Sequence, residues 1–241
     1  MESLLPFVTN VDDTVYAIKD TLPVPITSAA MARLSRSPDD LRTILLKEFQ
    51  PLPTVPEETH RGKEIDLLQR VLSDYGDDSV QQLGDFNVVV QTASNLLTKV
   101  LERPRIGAAY LEQSTRWILF DQKVDGKYRY LVPPELDEET ASMYRLTMDW
   151  IFERYSEIVR KLIMHLTSKR PDANEPAIKS SIRAQACDVA RELLPAATTS
   201  TVGIHGSAQM IDGLIMHLRA HPLKEARDTG DKMLREVRKI H

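Results

Sequence analysis

YLEQSTRW, residues 110–117, carries an alternation on which the reading of the chain turns. Counting by twos from Tyr110 gives Glu112, Ser114 and Arg116. In an extended segment alternate side chains share a face, so a carboxylate, a hydroxyl and a guanidinium stand in one row. Such a row has two readings. One is the polar face of a half-exposed strand, closed by an ion pair. The other is an anion site: Arg offers a rigid fork of donors that fits phosphate, Ser adds a hydroxyl, and Glu holds the Arg or a bound group.

Working outward, WILFDQKVDGKYRYLVPP (117–134) predicts a hairpin. Asp125-Gly126 lies between two β-rich runs, and Pro133-Pro134 stops the second. FNVVVQTASNLLTKVLER (86–103) begins strand-like and ends helix-like, and periodicity does not decide it. VDDTVYAI (11–18) predicts a first strand, and TSTVGIHG (199–206) a short late one. SPDDLRTILLKEF (37–49) predicts a helix capped by Ser37, with Pro38 in its first turn. PLPTVPEETH (51–60) reads as a loop and RGKEIDLLQRVLSDYG (61–76) as a helix stopped by Gly76.

The longest helical pattern runs from 136 to 166, with Leu136, Tyr144, Trp150, Ile151, Ile158, Leu162 and Leu166 near helical spacing. Acids crowd its start and Lys161, His165, Lys169 and Arg170 its end, as the helix dipole prefers. At about 1.5 Å per residue it runs roughly 45 Å, long enough to serve a subunit interface. Helices over 178–194, 207–221 and 222–240 complete the pattern. The fold class is α+β, a central sheet with surrounding helices, as one domain over 1–241.

Composition sets limits. The 241 residues are 42% hydrophobic, enough for a real core, and the net charge is -4. That balance argues against a nucleic-acid polymer or an anionic membrane as partner. No run approaches the ~18 apolar residues of a membrane span. MESLLPFVTN has no basic region of the kind that opens a signal peptide, and the expected location is cytoplasmic. One cysteine, Cys187, allows no internal disulfide, and its place in an apolar helical pattern reads as buried and inert.

Other chemistry is thin. His217 and His221 have metal-ligand spacing, but no third ligand accompanies them and no metal is expected. There is no GxGxxG, GxxxxGK[ST] or GxSxG. Arginines recur beside short polar residues at Arg33, Arg103, Arg105, Arg191 and Arg219. Scattered, they are solvated surface; facing one cleft, they build an anion pocket in an acidic protein.

Taken together these segments resemble the flavin-dependent thymidylate synthases (ThyX), whose signature reads RHRxxSxNExSxRY. Glu112, Ser114 and Arg116 match its last third, with Trp117 where Tyr is usual. Arg103-Pro104-Arg105 is similar to RHR displaced by one residue. Ala109 and Leu111 replace the motif's Ser and Asn, and Leu83 stands where the family has a His. ARLSRS (32–37), ARELLP (190–195) and GSAQMIDGLIMHLRAHPLKEAR (206–227) resemble further family segments in the same order.

The resemblance implies a uridylate site. Ser114 and Arg116 would bind the nucleotide phosphate with nearby backbone N–H groups, Glu112 and Gln113 beside them, and Arg191 would be a second phosphate-side arginine. Arg219 would be catalytic, polarising the uracil ring as charge builds on it. Arg103, Arg105, Ser207, Gln209 and His221 would face FAD. The implied reaction is C5 methylation of dUMP or UMP, the latter as in nucleoside-antibiotic biosynthesis. Its carbon would come from methylenetetrahydrofolate and its hydride from NADPH-reduced FAD. The implied assembly is a homotetramer. The lost motif residues fall on the flavin and folate side, which leaves a second reading: a catalytically silent relative that binds nucleotide or flavin.

Overall fold

Ser94 marks the junction from which the site is built. Its hydroxyl accepts the Leu97 N–H at 3.1 Å and so caps the first turn of a helix, the usual role of a short polar side chain there. The same hydroxyl donates to Glu225 at 2.5 Å, and the Ser94 N–H donates to the other oxygen of that carboxylate at 2.8 Å. Upstream the chain is a strand, β1 (Asp85–Ser94), and downstream a helix, α3 (Asn95–Leu101). The ambiguous 86–103 segment is thus both, switching at its capping serine.

The structure is a computed structural model that describes residues 1–14, 16–34, 37–50, 52 and 82–239. The predicted helix over 61–76 and most of the loop at 51–60 lie outside the described residues. The chain forms two compact units. The first contains Met1–Phe86, Ile106–Ala108 and His205–Gly213, and the second Asn87–Arg105, Ala109–Ile204 and Leu214–His241.

In the first unit α1 (Val24–Leu34) packs on α2 (Leu41–Glu48) around Leu4, Val8, Ala29, Ile44 and Leu45. Over 11–18 the predicted strand does not form among the described residues. Asp13 accepts the Thr14 N–H and gives its own N–H to Asn10, so local acidic and amide side chains turn the backbone. Pairing there is slight: Ile18 forms a single bridge to Val8, and Ala17 O accepts the Thr9 N–H at 3.0 Å. The cap of α2 is Asp40, which accepts from Arg42 and Thr43, rather than Ser37. Asp40 sits immediately before the first helical residue, where a cap must be.

Strands β1, β2 (Ala108–Glu112) and β3 (Thr199–Ser207) form one sheet in the order β1-β3-β2. The Gln113 N–H reaches Thr201 O at 2.9 Å and the Asn95 N–H reaches Thr198 O at 2.9 Å. Both neighbours therefore leave β3 near its start.

The second unit is centred on α4 (Glu138–Ser168), which packs along α5 (Pro176–Ala190). Asp137 caps α4 by accepting the Thr140 N–H at 2.9 Å. The buried stripe of α4 runs through Phe152, Tyr155 and Val159, which meet Phe120, Ala186 and Cys187. Of the residues at helical spacing, Leu162 and Leu166 pack against this core, whereas Trp150 is 60% exposed and Ile158 is at the surface. Cys187 is fully buried, and burial pushes its thiol pKa up. The chain ends in α6 (Ala208–Arg219) and α7 (Lys224–Val237), whose Glu225 holds Ser94.

The predicted hairpin is half present. Asp125 and Gly126 have φ of 50° and 77°, the positive values a two-residue turn demands, and Val124 and Lys127 exchange hydrogen bonds of 2.8 and 3.0 Å. No strand extends from them. Residues 129–131 pair instead with the start of β3, through Thr199 N to Arg129 O and Leu131 N to Ala197 O.

Candidate functional site

The strand that carries the opening motif stops at Glu112. Ser114 begins a turn: its carbonyl accepts the N–H groups of Trp117 and Ile118, both at 3.1 Å, and its hydroxyl accepts the Arg116 N–H at 3.3 Å. Glu112, Ser114 and Arg116 are therefore not a row on one strand face. The turn leaves the Ser114 and Thr115 N–H groups without a partner among the described residues.

A cavity of about 500 Å³ lies in the second unit beside this turn. Its wall includes Glu112, Gln113, Ser114 and Thr115 from the motif, and Arg191, Glu192, Leu194 and Pro195 from the segment after α5. Asn95 and Lys99 of α3 and Thr198 and Ser200 of β3 complete it. The volume lies within the ~300–1,000 Å³ of small-molecule sites. Sequence reading therefore named four residues that line one cavity: Glu112, Gln113, Ser114 and Arg191.

The charges in and behind the cavity are paired. Lys99 Nζ lies 3.1 Å from Glu112 Oε2 and 3.5 Å from Glu102 Oε2. Desolvation lowers the lysine pKa, but the hydrogen bond and charge of Glu112, reinforced by Glu102, outweigh it, and the net pKa is raised. Asp188, at the end of α5, bridges two arginines. Its Oδ1 lies 3.0 Å from Arg116 Nε and 3.0 Å from an Arg191 terminal nitrogen. Arg116 is absent from the cavity wall and reaches it only through this shared carboxylate. Ser200 is buried and points its hydroxyl at Gln113 O, 3.4 Å away. Thr198 Oγ1 is buried with no hydrogen-bond partner among the described residues.

Lys99, Asn95 and Asp188 were missed by sequence reading. Lys99 and Asn95 belong to no motif and reach the cavity only because α3 follows β1, which pairs with β3. Asp188 had a local signal: it stands three residues before Arg191, the spacing of a helical ion pair.

The remaining candidates lie elsewhere than the cavity wall. Arg219 ends α6, and its Nε holds Asp231 Oδ1 at 2.7 Å. His221 Nδ1 accepts the Leu223 N–H at 3.1 Å, and its ring lies 5.8 Å from that of His217. Arg103 and Arg105 are exposed. Ser207 and Gln209 belong to the first unit, where the Ser207 hydroxyl accepts the Met210 N–H at 3.2 Å. No cluster of three or more potential metal ligands occurs among the described residues, and none of their helices is long and apolar enough to cross a membrane.

The family described as thymidylate synthase complementing protein matches residues 21–241. A UPF0159 protein of Chlamydia pneumoniae is 38% identical over an alignment of 251 residues, covering 99% of this chain and 47% of that protein. A UPF0159 protein of Chlamydia muridarum is 37% identical with the same coverage, and one of Thermoplasma acidophilum is 29% identical over 87% of the chain. The chain thus spans about half the length of the curated relatives it matches. Among solved structures, a UMP/dUMP methylase, PolB, from Streptomyces cacaoi bound with 5-Br dUMP aligns with TM-score 0.49 and 15% identity, over 90% of this chain and 86% of that one. On the family match over residues 21–241, the chain belongs to the thymidylate synthase complementing protein family.

Proposed function

We propose that the cavity of the second unit holds a uridylate nucleotide, dUMP or UMP, by its 5′-phosphate, and that the chain serves C5 methylation of that nucleotide. The observation that carries this reading is the gathering of Ser114, Arg191 and Lys99 on one wall system with Glu112. A hydroxyl, a guanidinium, an ammonium and two unpartnered N–H groups are what a phosphate monoester needs. Family membership supports the same substrate class. Arg219 would act on the uracil ring only after exchanging Asp231 for it.

The flavin side is less well supported. The resemblance assigns hydride delivery to FAD reduced by NADPH and the carbon to methylenetetrahydrofolate. The five residues implied for FAD are divided between the two units, and none lines the cavity. Ser207 and His221 already spend an acceptor on the backbone. The motif residues lost on the flavin and folate side leave a second reading, a nucleotide-binding relative without turnover.

Self-association is part of the proposal. Met143, Leu146 and Trp150 stand at helical spacing on α4 and are 66%, 71% and 60% exposed. An uncovered apolar stripe on a 31-residue helix fits a homo-oligomer, with a tetramer implied by the resemblance.

The test is calorimetric binding of dUMP and UMP, followed by an anaerobic reaction with FAD, NADPH and methylenetetrahydrofolate read by product mass. A 5-methyl product supports the enzyme. Binding without product supports the silent relative. No binding of either nucleotide overturns both readings.

A further inference from the structure

Asp188 places a negative charge beside two arginines, one of which lines the cavity. One of its oxygens is 3.0 Å from Arg116 and 3.0 Å from Arg191, and only Arg191 lines the wall. The second cation, Lys99, is held by Glu112 at 3.1 Å, and Glu192 adds a further carboxylate to the wall. Every cation at this site is thus already matched by an acid. A cavity built to collect as much negative charge as possible would leave its arginines unmatched. This one keeps Arg191 beside a carboxylate that it shares with Arg116.

We propose that Asp188 is a specificity-determining residue that sets the cavity to a nucleoside monophosphate and against di- and triphosphates. The inference rests on the reading that the cavity takes a nucleotide phosphate. The donors near Ser114 satisfy one phosphate group at short range. A second or third phosphate adds negative charge to a wall that already carries Glu192 and whose Arg191 is already paired with Asp188. The carboxylate is half-exposed, at 38%, so solvent weakens its field but does not remove it. In a water-like medium one added unit of ligand charge near this carboxylate changes affinity about threefold.

The experiment measures dissociation constants of uridine, UMP, UDP and UTP for the full chain and for Asp188→Asn, with thermal unfolding of both. Asn keeps an acceptor oxygen for the arginines and removes the charge. The expected result is that the wild type prefers UMP to UDP and UTP. Asp188→Asn should move the UDP-to-UMP affinity ratio about threefold toward UDP, and the UTP ratio further. Uridine affinity should stay unchanged. A ratio unmoved by the substitution, with UMP still bound, overturns the role of Asp188 and leaves the nucleotide reading standing. Wild-type protein that binds no uridine nucleotide overturns that reading and this one together. If Asp188→Asn does not fold, the wild type alone decides: UDP or UTP bound as tightly as UMP overturns the proposal.

Discussion

Lys99 and Glu112, thirteen residues apart in sequence, meet at 3.1 Å in the cavity wall. Replacing Lys99 by Met keeps the stem and removes the charge. UMP affinity should then fall about threefold to tenfold, a modest loss because the side chain is 61% exposed. Uridine affinity should not change. The raised pKa sets the sign of the pH effect. A lysine whose folded pKa lies above its unfolded value contributes fully below about pH 10.4, and the contribution is lost only as pH rises through the folded value. Binding through Lys99 should therefore be flat from about pH 7.5 to 9, above the second ionisation of the phosphate near pH 6. A titration of UMP affinity in that window that tracked Lys99, and vanished in the Met variant, would contradict the pairing.

Thr198 offers a test in the opposite direction. Its hydroxyl is buried without a partner among the described residues, and such a group costs about 1–3 kcal/mol of desolvation. Val has the same shape and no polar atom. Thr198→Val should leave the fold intact and raise its stability by up to about 1 kcal/mol. Unfolding should shift upward by about 2–4 °C. A drop in the melting temperature would mean that the hydroxyl has a partner after all.

Gly230 sets how closely α7 meets the end of α6. A Cβ there would stand 2.9 Å from Leu218 Cβ, 2.9 Å from Arg219 Cγ and 3.1 Å from the Arg219 N. Two of these contacts are at or beside the backbone and cannot swing away. Gly230→Ala should cost about 1–3 kcal/mol despite the better helix propensity of Ala. Arg219→Ala, by contrast, removes only an exposed pair to Asp231 and should cost less than about 1 kcal/mol. If the enzyme reading holds, Arg219→Ala should lose turnover with little loss of nucleotide affinity.

The stripe on α4 gives a further prediction. Leu146→Glu puts a charge among exposed apolar side chains and should not unfold the chain, because Leu146 is 71% exposed. Light scattering coupled to size exclusion should show a smaller assembly than the wild type. A wild type that is monomeric, or a variant that assembles as before, removes α4 from the interface.

What sequence could read here was local. Asp137 and the acids that follow it lie within one turn of the start of α4, so the helix is legible from neighbours alone. Asp125-Gly126 is equally local, and its turn forms as expected. Its strands do not, because 129–131 find a better partner in 197–199, nearly seventy residues away. Which face of α4 turns inward is likewise set at a distance. Apolar residues occupy both sides, and only the packing against α5 tells Phe152 from Trp150. The cavity divides the same way. Glu112, Gln113 and Ser114 come from one motif, whereas Lys99 joins them only through the pairing of β1, β3 and β2.

Alkaline stability follows from two tyrosines of the same core. Burial raises the Tyr155 pKa to about 12, helped by the nearby Asp121 and Cys187 and opposed by the Phe120 N–H. Burial and a 2.9 Å hydrogen bond to Asp149 raise Tyr130 to about 12 as well. Both groups hold their protons in the fold at a pH where the unfolded chain, with tyrosine near 10, releases them. The folded state then binds more protons than the unfolded one, so stability falls as pH rises. The loss should begin near pH 10 and be complete by about pH 12. Absorbance at 295 nm should show at least two of the seven tyrosines ionising only above pH 11 or together with unfolding. Tyr155→Phe should make the stability less steep in pH across this window, at about 1 kcal/mol lower stability at neutral pH for the Phe120 N–H it leaves unpaired. An unchanged slope would show that Tyr155 does not hold its proton through the fold.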